Sequence, residues 1–542
     1  MEILKTDVLI IGGGSAGCLA AIKAKDETPN LDITIVEKAH IRRSGSLATG
    51  MDCLNVTCIP DSEYPPEKYM EQGEWIEARD YLDEKLHYIL AKKSYGVVKD
   101  LEKWGIEFAK VDGKYQVKEQ FLEILDSQNL KVTLTVQVAK RGVQVINHTM
   151  ITSLLSNSQK IYGATALNIR DGTFSTIQAK SIVLTTGSCG RFGIPSSGYL
   201  FGTFDFPGNA GDGFAMAYKI GAELTNFEYL KYHYYTAKDL HAPLGKFYLL
   251  PNENRIKTVD SEGKEVDRWV PPTKEGDQPT GKAPLFIDAS HLGKHEIKIL
   301  EDVMFRSERK IAIKQYFEDR GLKLGQDLIE LRRSPLAICG GHGISGLVTD
   351  ENAGTTVEGL YAAGDVAAVG IQYLSGAFVF GGIAGISASK YALRNKHVEV
   401  NKKEVEQYKE KLFEPYGRKE GLLPSVFEFK LRTKIRDYIT PPTNEKKSKL
   451  ALKWIRRFRR EDLPRLVARD FHELVRAIEA GFILDCAEIA AHASLWKRIG
   501  SQLIIKRDMK TGNMKIRRYQ LPRREASEVE DMPCGGEENG DK

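Results

Sequence analysis

Short apolar runs and stretches of helical spacing alternate along most of this chain. Thr6–Ile11 (TDVLII) is a β-branched apolar run, the pattern of a strand buried on both faces. Glycines follow at once, and Cys18–Lys25 (CLAAIKAK), rich in Ala, predicts a helix. Asp32–Val36 predicts a second strand that ends at Glu37. Ala179–Gly187 (AKSIVLTTG) and Thr356–Asp365 (TVEGLYAAGD) read as strands that end in small or acidic residues. Lys294–Arg320 is amphipathic, and Glu404–Leu412 and Asp462–Arg498 set apolar residues at helical spacing in charged segments. Gln502–Tyr519 reads as a short strand unit. The longest apolar runs, such as Val8–Ile11 and Ile182–Leu184, fall far short of the roughly 20 residues of a bilayer-spanning helix. No direct membrane insertion is expected.

The first helix opens on chemistry. Gly12-Gly13-Gly14-Ser15-Ala16-Gly17 is a G-x-G-x-x-G run placed between strand and helix, and Glu37 stands 20 residues after Gly17. The glycines permit a tight turn and close approach of a pyrophosphate, the helix N-terminus offers free N–H groups, and the acid accepts from a ribose. This fingerprint alone leaves NAD and FAD open. The sequence after Glu37 favours FAD: Lys38–Gly50 (KAHIRRSGSLATG) is rich in Ser, Thr and Gly and suits wrapping an extended cofactor. The ends of the strands at Thr186-Gly187 and Gly364-Asp365 return to the same place. Candidate cofactor contacts are therefore Gly12, Gly14, Ser15, Ala16, Gly17, Glu37, Lys38, Ser44, Gly45, Leu47, Thr49, Gly50, Thr186, Gly187, Gly364 and Asp365. Lys38 and Arg43 are candidates for phosphate or ribose.

At these residues the chain resembles the flavoprotein superfamily of fumarate reductase and succinate dehydrogenase. Asn209–Ala217 (NAGDGFAMA), Gly221–Glu228 (GAELTNFE) and Gly359–Asp365 (GLYAAGD) carry the likeness. Within the superfamily it is most similar to the adenylylsulfate reductase alpha subunit, through Arg43–Gly50 (RSGSLATG), Leu54-Asn55, Leu374–Ser387 (LSGAFVFGGIAGIS) and Leu466–Arg476 (LVARDFHELVR). The resemblance adds Asp212, Gly376, Ala377 and Phe378 to the cofactor contacts. It places His342, in Cys339–Gly346 (CGGHGISG), and Asn55 at the substrate, with His233, Arg268 and Phe247 as further candidates; Phe247 matches a nucleotide-stacking Trp. Gly45 stands where succinate dehydrogenases carry the His that attaches FAD, which implies non-covalent FAD. Tyr373 stands in place of their substrate-binding arginine, so a dicarboxylate would lack a charge partner. The implied fold is α/β. A split Rossmann-like FAD-binding domain (1–225 and 336–398) would receive an inserted α+β capping domain (226–335). A helical C-terminal domain with short terminal strands (399–524) and an acidic disordered tail (525–542) would follow. The implied activity is FAD-dependent oxidoreduction, either adenylylsulfate plus two electrons to AMP plus sulfite or its reverse. Reduction of an activated double bond, as in fumarate or enoate reductases, is the alternative. A third reading is a non-catalytic flavin relay within a larger iron–sulfur complex.

Composition narrows the partners. In 542 residues, 42% are hydrophobic and 28% charged, an ordinary globular balance. The net charge of +5 divides into a tail with seven acids and one lysine and a basic remainder, with clusters at Lys453–Arg460 and Lys506–Arg524. These read as a solvated face or a docking surface for an acidic electron-transfer subunit. No aromatic-interleaved RNA motif appears, so no nucleic-acid partner is expected. The seven cysteines are scattered without a C-x-x-C pair, which leaves no place for a cluster or structural metal within this chain. An odd count without a leader favours a cytoplasmic setting with free thiols. A flavoprotein of this kind would then draw electrons from a ferredoxin-like iron–sulfur subunit carrying 4Fe-4S clusters, and act on a small-molecule substrate.

Overall fold

The computed structural model describes residues 2–49, 53–56, 59, 65–72, 79–115, 117–118, 121–124, 127–157, 160–195, 198–203, 205–230, 236–238, 256–266, 281–306, 310–332, 334–498, 501–520 and 526–532. Its central sheet begins with β1 (Glu2–Ile11), followed by helix α1 (Ser15–Glu27) and β2 (Ile33–Val36). The short strand β3 (Cys53–Asn55) and helices α2 (Glu84–Lys103) and α3 (Ser127–Lys140) precede β4 (Gln144–Ile146), β5 (Thr149–Asn157), β6 (Lys160–Asn168) and β7 (Phe174–Leu184). The strand order is β4-β2-β1-β7-β6-β5. β1, β2, β4 and β7 run parallel, and β6 and β5 return antiparallel. β7 divides its outer edge: Phe174–Gln178 pairs with β6, and Ile182–Leu184 pairs in parallel with a later strand, Leu360–Ala362. That late strand returns the chain to the mouth of the sheet. Val8–Ile11 and Ile182–Leu184 are buried because helices cover the sheet.

After β7 come α4 (Asp212–Lys219) and β8 (Leu224–Thr225). A separate antiparallel sheet follows, made of β9 (Thr236–Ala237), β10 (Lys257–Val259), β11 (Leu285–Asp288) and β12 (Ile329–Arg332), with helices α5 (Lys294–Arg306) and α6 (Lys310–Arg320). The amphipathic stretch at 294–320 is thus two helices. This unit has its own apolar cluster, including Ile256, Ile287, Leu300, Ile313 and Phe317, apart from the main core. Strands β13 (Gly346–Leu347) and β14 (Leu360–Ala362) then lead into α7 (Tyr373–Arg394).

Helix α7 packs on α1 through glycines. A Cβ at Gly385 would lie 2.0 Å from the Ala20 carbonyl oxygen, and one at Gly381 would lie 2.5 Å from that of Ala16. Beyond α7, helices α8 (Lys402–Gly417), α9 (Pro424–Tyr438), α10 (Glu445–Arg457) and α11 (Phe471–Trp496) form the helical part. The helical spacing read from Asp462 is interrupted. Leu463–Arg465 is a 3-10 turn containing Pro464, and α11 restarts at Phe471, where the Asp470 carboxylate caps the Glu473 N–H.

The last sheet pairs β13 and β8 with β15 (Ser501–Arg507), β16 (Met514–Gln520) and β17 (Ala526–Met532). β17 lies within the segment expected to form an acidic tail. Its register sets Asp531 opposite Lys515 and Glu528 opposite Arg517, so acidic positions in the tail lie across from basic positions in β16. Residues 533–542 fall outside the described ones.

Candidate functional site

The parallel strands end at one cleft, lined from β1, β2, β7 and β14 and the turns after them. The glycine-rich turn forms its floor. Gly12 has φ +101°, a region that disfavours side chains, and a Cβ there would lie 2.5 Å from the Thr185 carbonyl oxygen. A Cβ at Gly17 would meet the Gly12 carbonyl oxygen at 1.9 Å, so the helix seats tightly on the turn. Thr185 Oγ1 donates to the carbonyls of Ile11 (2.9 Å) and Gly12 (2.7 Å), joining β7 to β1 behind the turn. Glu37 is buried, and its carboxylate accepts from the N–H groups of Gly13 and Ala39, each at 2.7 Å.

Of the candidates read from the sequence, Gly12, Gly14, Ser15, Ala16, Glu37, Lys38, Gly45, Thr186, Gly187, Asp212, Gly364, Asp365 and Ala377 line the cleft. Gly17 lies behind the turn. Gly45 (φ +79°) folds over it, close to the Gly14 Cα. Ser44 and Leu47 are buried beside this fold. Gly376 packs on Gln372, and Phe378 belongs to the core rather than to the cleft lining. The Thr49 side chain, Gly50, His233, Phe247 and Arg268 lie outside the described residues. Arg43 is exposed.

Lys38 lines the cleft with its ammonium held by three protein partners. Its Nζ donates to the Gly208 carbonyl (2.6 Å), Asp212 Oδ2 (2.8 Å) and Glu479 Oε1 (2.8 Å). Burial opposes its charge, but the two carboxylates more than offset this and keep the ammonium protonated. Glu479 also accepts from Arg191, whose guanidinium forks onto Glu428. Arg432 and Arg476 bond to Glu428 as well. A buried ionic chain therefore runs from the cleft into α9 and α11.

On the opposite wall, Asp365 faces the cleft after β14. Burial and the charge of Asp205 push its carboxyl up to about 7, although the Cys339 thiol works the other way. Asp205 in turn accepts from Ser188 Oγ at 2.6 Å. The Cys339–Gly346 loop is clipped to the start of α7. Gln372 Nε2 donates to the carbonyls of Gly340 and Gly364, and the Ile371 N–H donates to the Gly343 carbonyl. Ile371 (φ +42°) and Tyr373 (φ +49°) both occupy the left-handed region, a strained conformation for a β-branched and an aromatic residue. The strain sets the Tyr373 ring edge-on to His342, with centroids 5.0 Å apart. Asn55 ends β3 in a buried position, with its Oδ1 lacking a protein partner. It is not part of the cleft lining.

The cleft fits an extended flavin dinucleotide. Among the described residues, Thr186 Oγ1 and Asp212 Oδ1 are buried in its lining without a protein partner, and so is Ser44 Oγ beside it. A Cβ at Gly14 would meet nothing within 4 Å. The motifs do not mark Thr149–Ile151, which help build the site, nor the strained Ile371, and they contain Thr185 and Asn209 without singling them out. Asn209 sits within the quoted NAGDG stretch, whereas β5 carries only an apolar strand pattern with no chemical signature.

A parallel sheet that closes on a glycine turn, an acid after its second strand and a long cleft define a dinucleotide-binding flavoprotein. Residues 7–234 match the FAD binding domain family. The chain is an FAD-dependent oxidoreductase. It is 25% identical over 538 residues to an uncharacterized FAD-dependent oxidoreductase of Methanocaldococcus jannaschii, covering 91% of this chain and 92% of that protein. It is 27% identical to a fumarate reductase (CoM/CoB) subunit of Methanothermobacter marburgensis, covering 75% and 77%. Its fold matches adenylylsulfate reductase from Archaeoglobus fulgidus with a TM-score of 0.83 at 23% identity, over 98% of this chain and 96% of that one. An Escherichia coli quinol fumarate reductase chain matches with a TM-score of 0.79 at 17% identity, over 100% and 98%. Among the described residues no helix is long and apolar enough to cross a membrane, and no group of three or more His, Cys, Asp or Glu is placed to hold a metal ion.

Proposed function

We propose that the chain is the flavoprotein subunit of a reductase that takes adenylylsulfate and two electrons to AMP and sulfite, or runs the reverse. The S–O bond to the AMP phosphate is the one that breaks. The observation that carries this reading is Tyr373. At the start of α7, beside His342, an aromatic ring stands where the resemblance to dicarboxylate reductases calls for an arginine. An uncharged ring is a poor partner for a dicarboxylate and a good wall for a nucleotide substrate. Bound non-covalently, with no His at Gly45, FAD supplies the two-electron chemistry. The chain's own residues then hold and orient the substrate. His342, half-buried on a loop clipped to α7, is the residue this reading assigns to the substrate, where an imidazole could donate to an oxyanion or transfer a proton.

Electrons would come from a ferredoxin-like iron–sulfur subunit in a reducing cytoplasm. In the Lys453–Arg460 run Arg457 and Arg460 share Glu461, and Arg459 pairs with Asp485 and Glu488, while Lys453 and Arg456 form no ion pair among the described residues.

The names of the sequence relatives favour a second reading, a fumarate-like reduction of an activated double bond. Sulfite titration separates the two. Purified FAD-loaded protein should lose flavin absorbance with sulfite, and AMP should shift the remaining spectrum. An unchanged spectrum with both ligands, together with fumarate reduction by a reduced dye, would establish the second reading. His342→Ala should keep FAD and lose turnover under either reading.

A further inference from the structure

The peptide groups of Gly13 are held from two sides by buried charges that lie far away in sequence. The Gly13 N–H donates to Glu37, and its carbonyl accepts from Lys131 Nζ. Lys131 belongs to α3 and is 4% exposed, next to Leu130 and close to Leu134 and Val138 in the core. Its other polar neighbour is Cys18 Sγ at 3.8 Å. Among the described residues it forms no ion pair with a carboxylate. A buried ammonium of this kind is costly unless negative charge lies near it; the buried Glu37 carboxylate across the Gly13 peptide makes no direct pair with it, which leaves room for a further negative charge.

The geometry of the turn says where that charge sits. In a trans peptide the C=O and the following N–H point in opposite directions. With the Gly13 carbonyl turned toward Lys131, the Gly14 N–H is directed away from it. Gly14, Ser15 and Ala16 line the cleft at the start of α1, whereas Lys131 does not line it. We propose that Lys131 is a positioning residue for the pyrophosphate of the cofactor. It fixes the Gly13–Gly14 peptide with its donor toward the cleft and polarises that donor, and the diphosphate on the far side of the turn balances its charge. The G-x-G-x-x-G fingerprint by itself calls for no such lysine.

The test uses FAD-free protein and two probes, ADP, which carries a pyrophosphate, and adenosine, which does not. Lys131→Met should weaken ADP by on the order of tenfold, the scale of one charge-assisted contact. Adenosine should bind within about twofold of the unmodified chain, and Lys131→Arg should restore most of the ADP affinity. Equal losses for the two probes would show a merely structural lysine and overturn the proposal, as would no loss for either. Where the Met variant fails to fold, the same comparison on Lys131→Gln decides the matter by the same outcomes.

Discussion

Gly385→Ala tests whether the α1–α7 crossing sets the position of the cofactor turn. The new methyl carbon would sit 2.0 Å from the Ala20 carbonyl oxygen and 2.7 Å from its carbon, where ordinary contact begins at 3.4 Å. Both are backbone atoms, so no flexible side chain can move aside. The helices must part by about 1.4 Å at that point, the difference between the two distances. Overpacking of this kind costs about 3 kcal/mol, the upper part of the usual range. Alanine recovers about 1 kcal/mol of helix propensity over glycine, which leaves a net loss of about 2 kcal/mol. α1 begins at Ser15, next to Gly14, so a displaced helix carries the turn with it.

The internal control is Gly481→Ala in α11, where an added Cβ meets nothing within 4 Å. That change should be neutral or gain up to about 1 kcal/mol. The assay is thermal release of FAD, followed by flavin fluorescence and, in parallel, by far-UV circular dichroism. Gly385→Ala should release FAD several degrees below the unmodified chain, while Gly481→Ala should release it at or above that temperature. Release from Gly385→Ala at the unmodified temperature would refute the claim that this crossing positions the turn.

Asp365 predicts a pH dependence. Its folded-state pKa, about 7, lies above the ordinary aspartate value of 3.8, so the folded chain binds more protons in that window and loses stability as pH rises through it. Denaturant unfolding of FAD-free protein at pH 5 and pH 8 should show this loss, and Asp365→Asn should reduce it; an identical dependence in the variant would mean another group is responsible. Glu479→Gln removes the carboxylate shared by Lys38 and Arg191. Asp212 and Glu428 still serve the two cations, so the cost should fall near the low end for a broken buried pair, about 3 kcal/mol. A denaturation midpoint unchanged from the unmodified chain would show that this ionic chain adds no net stability.

The parts of the fold legible in sequence are those whose pattern is local. Val8–Ile11 and the Ala-rich helix after the glycines need only neighbours within about 30 residues to declare themselves, and Gly364-Asp365 marks the return of β14 to the sheet at its end. A single helix from Asp462 does not form because charged, apolar spacing continues across a turn that Pro464 makes. The tail's acids have the composition of a solvated segment, and local composition does not report that 526–532 pairs in register with β16.

The same distinction governs the site. The glycines, Glu37 and Gly364-Asp365 form its sequence-visible frame, but its charges are balanced by residues remote from that frame. Lys38 stands beside Glu37 and reads as a phosphate contact, yet it spends its charge partly on Glu479, 441 residues away. Lys131 carries no motif, yet it reaches the Gly13 carbonyl from 118 residues away. Tyr373 is conspicuous in sequence only as a missing arginine. Its positive φ and its edge-on placement against His342 follow from loop carbonyls that hold the start of α7, which a linear pattern does not encode. A fingerprint of this kind therefore identifies a dinucleotide site by the backbone it requires. The choice of substrate rests on side chains whose roles depend on what the rest of the fold places beside them, and that is why adenylylsulfate and a double bond are best separated by ligand binding rather than by motif.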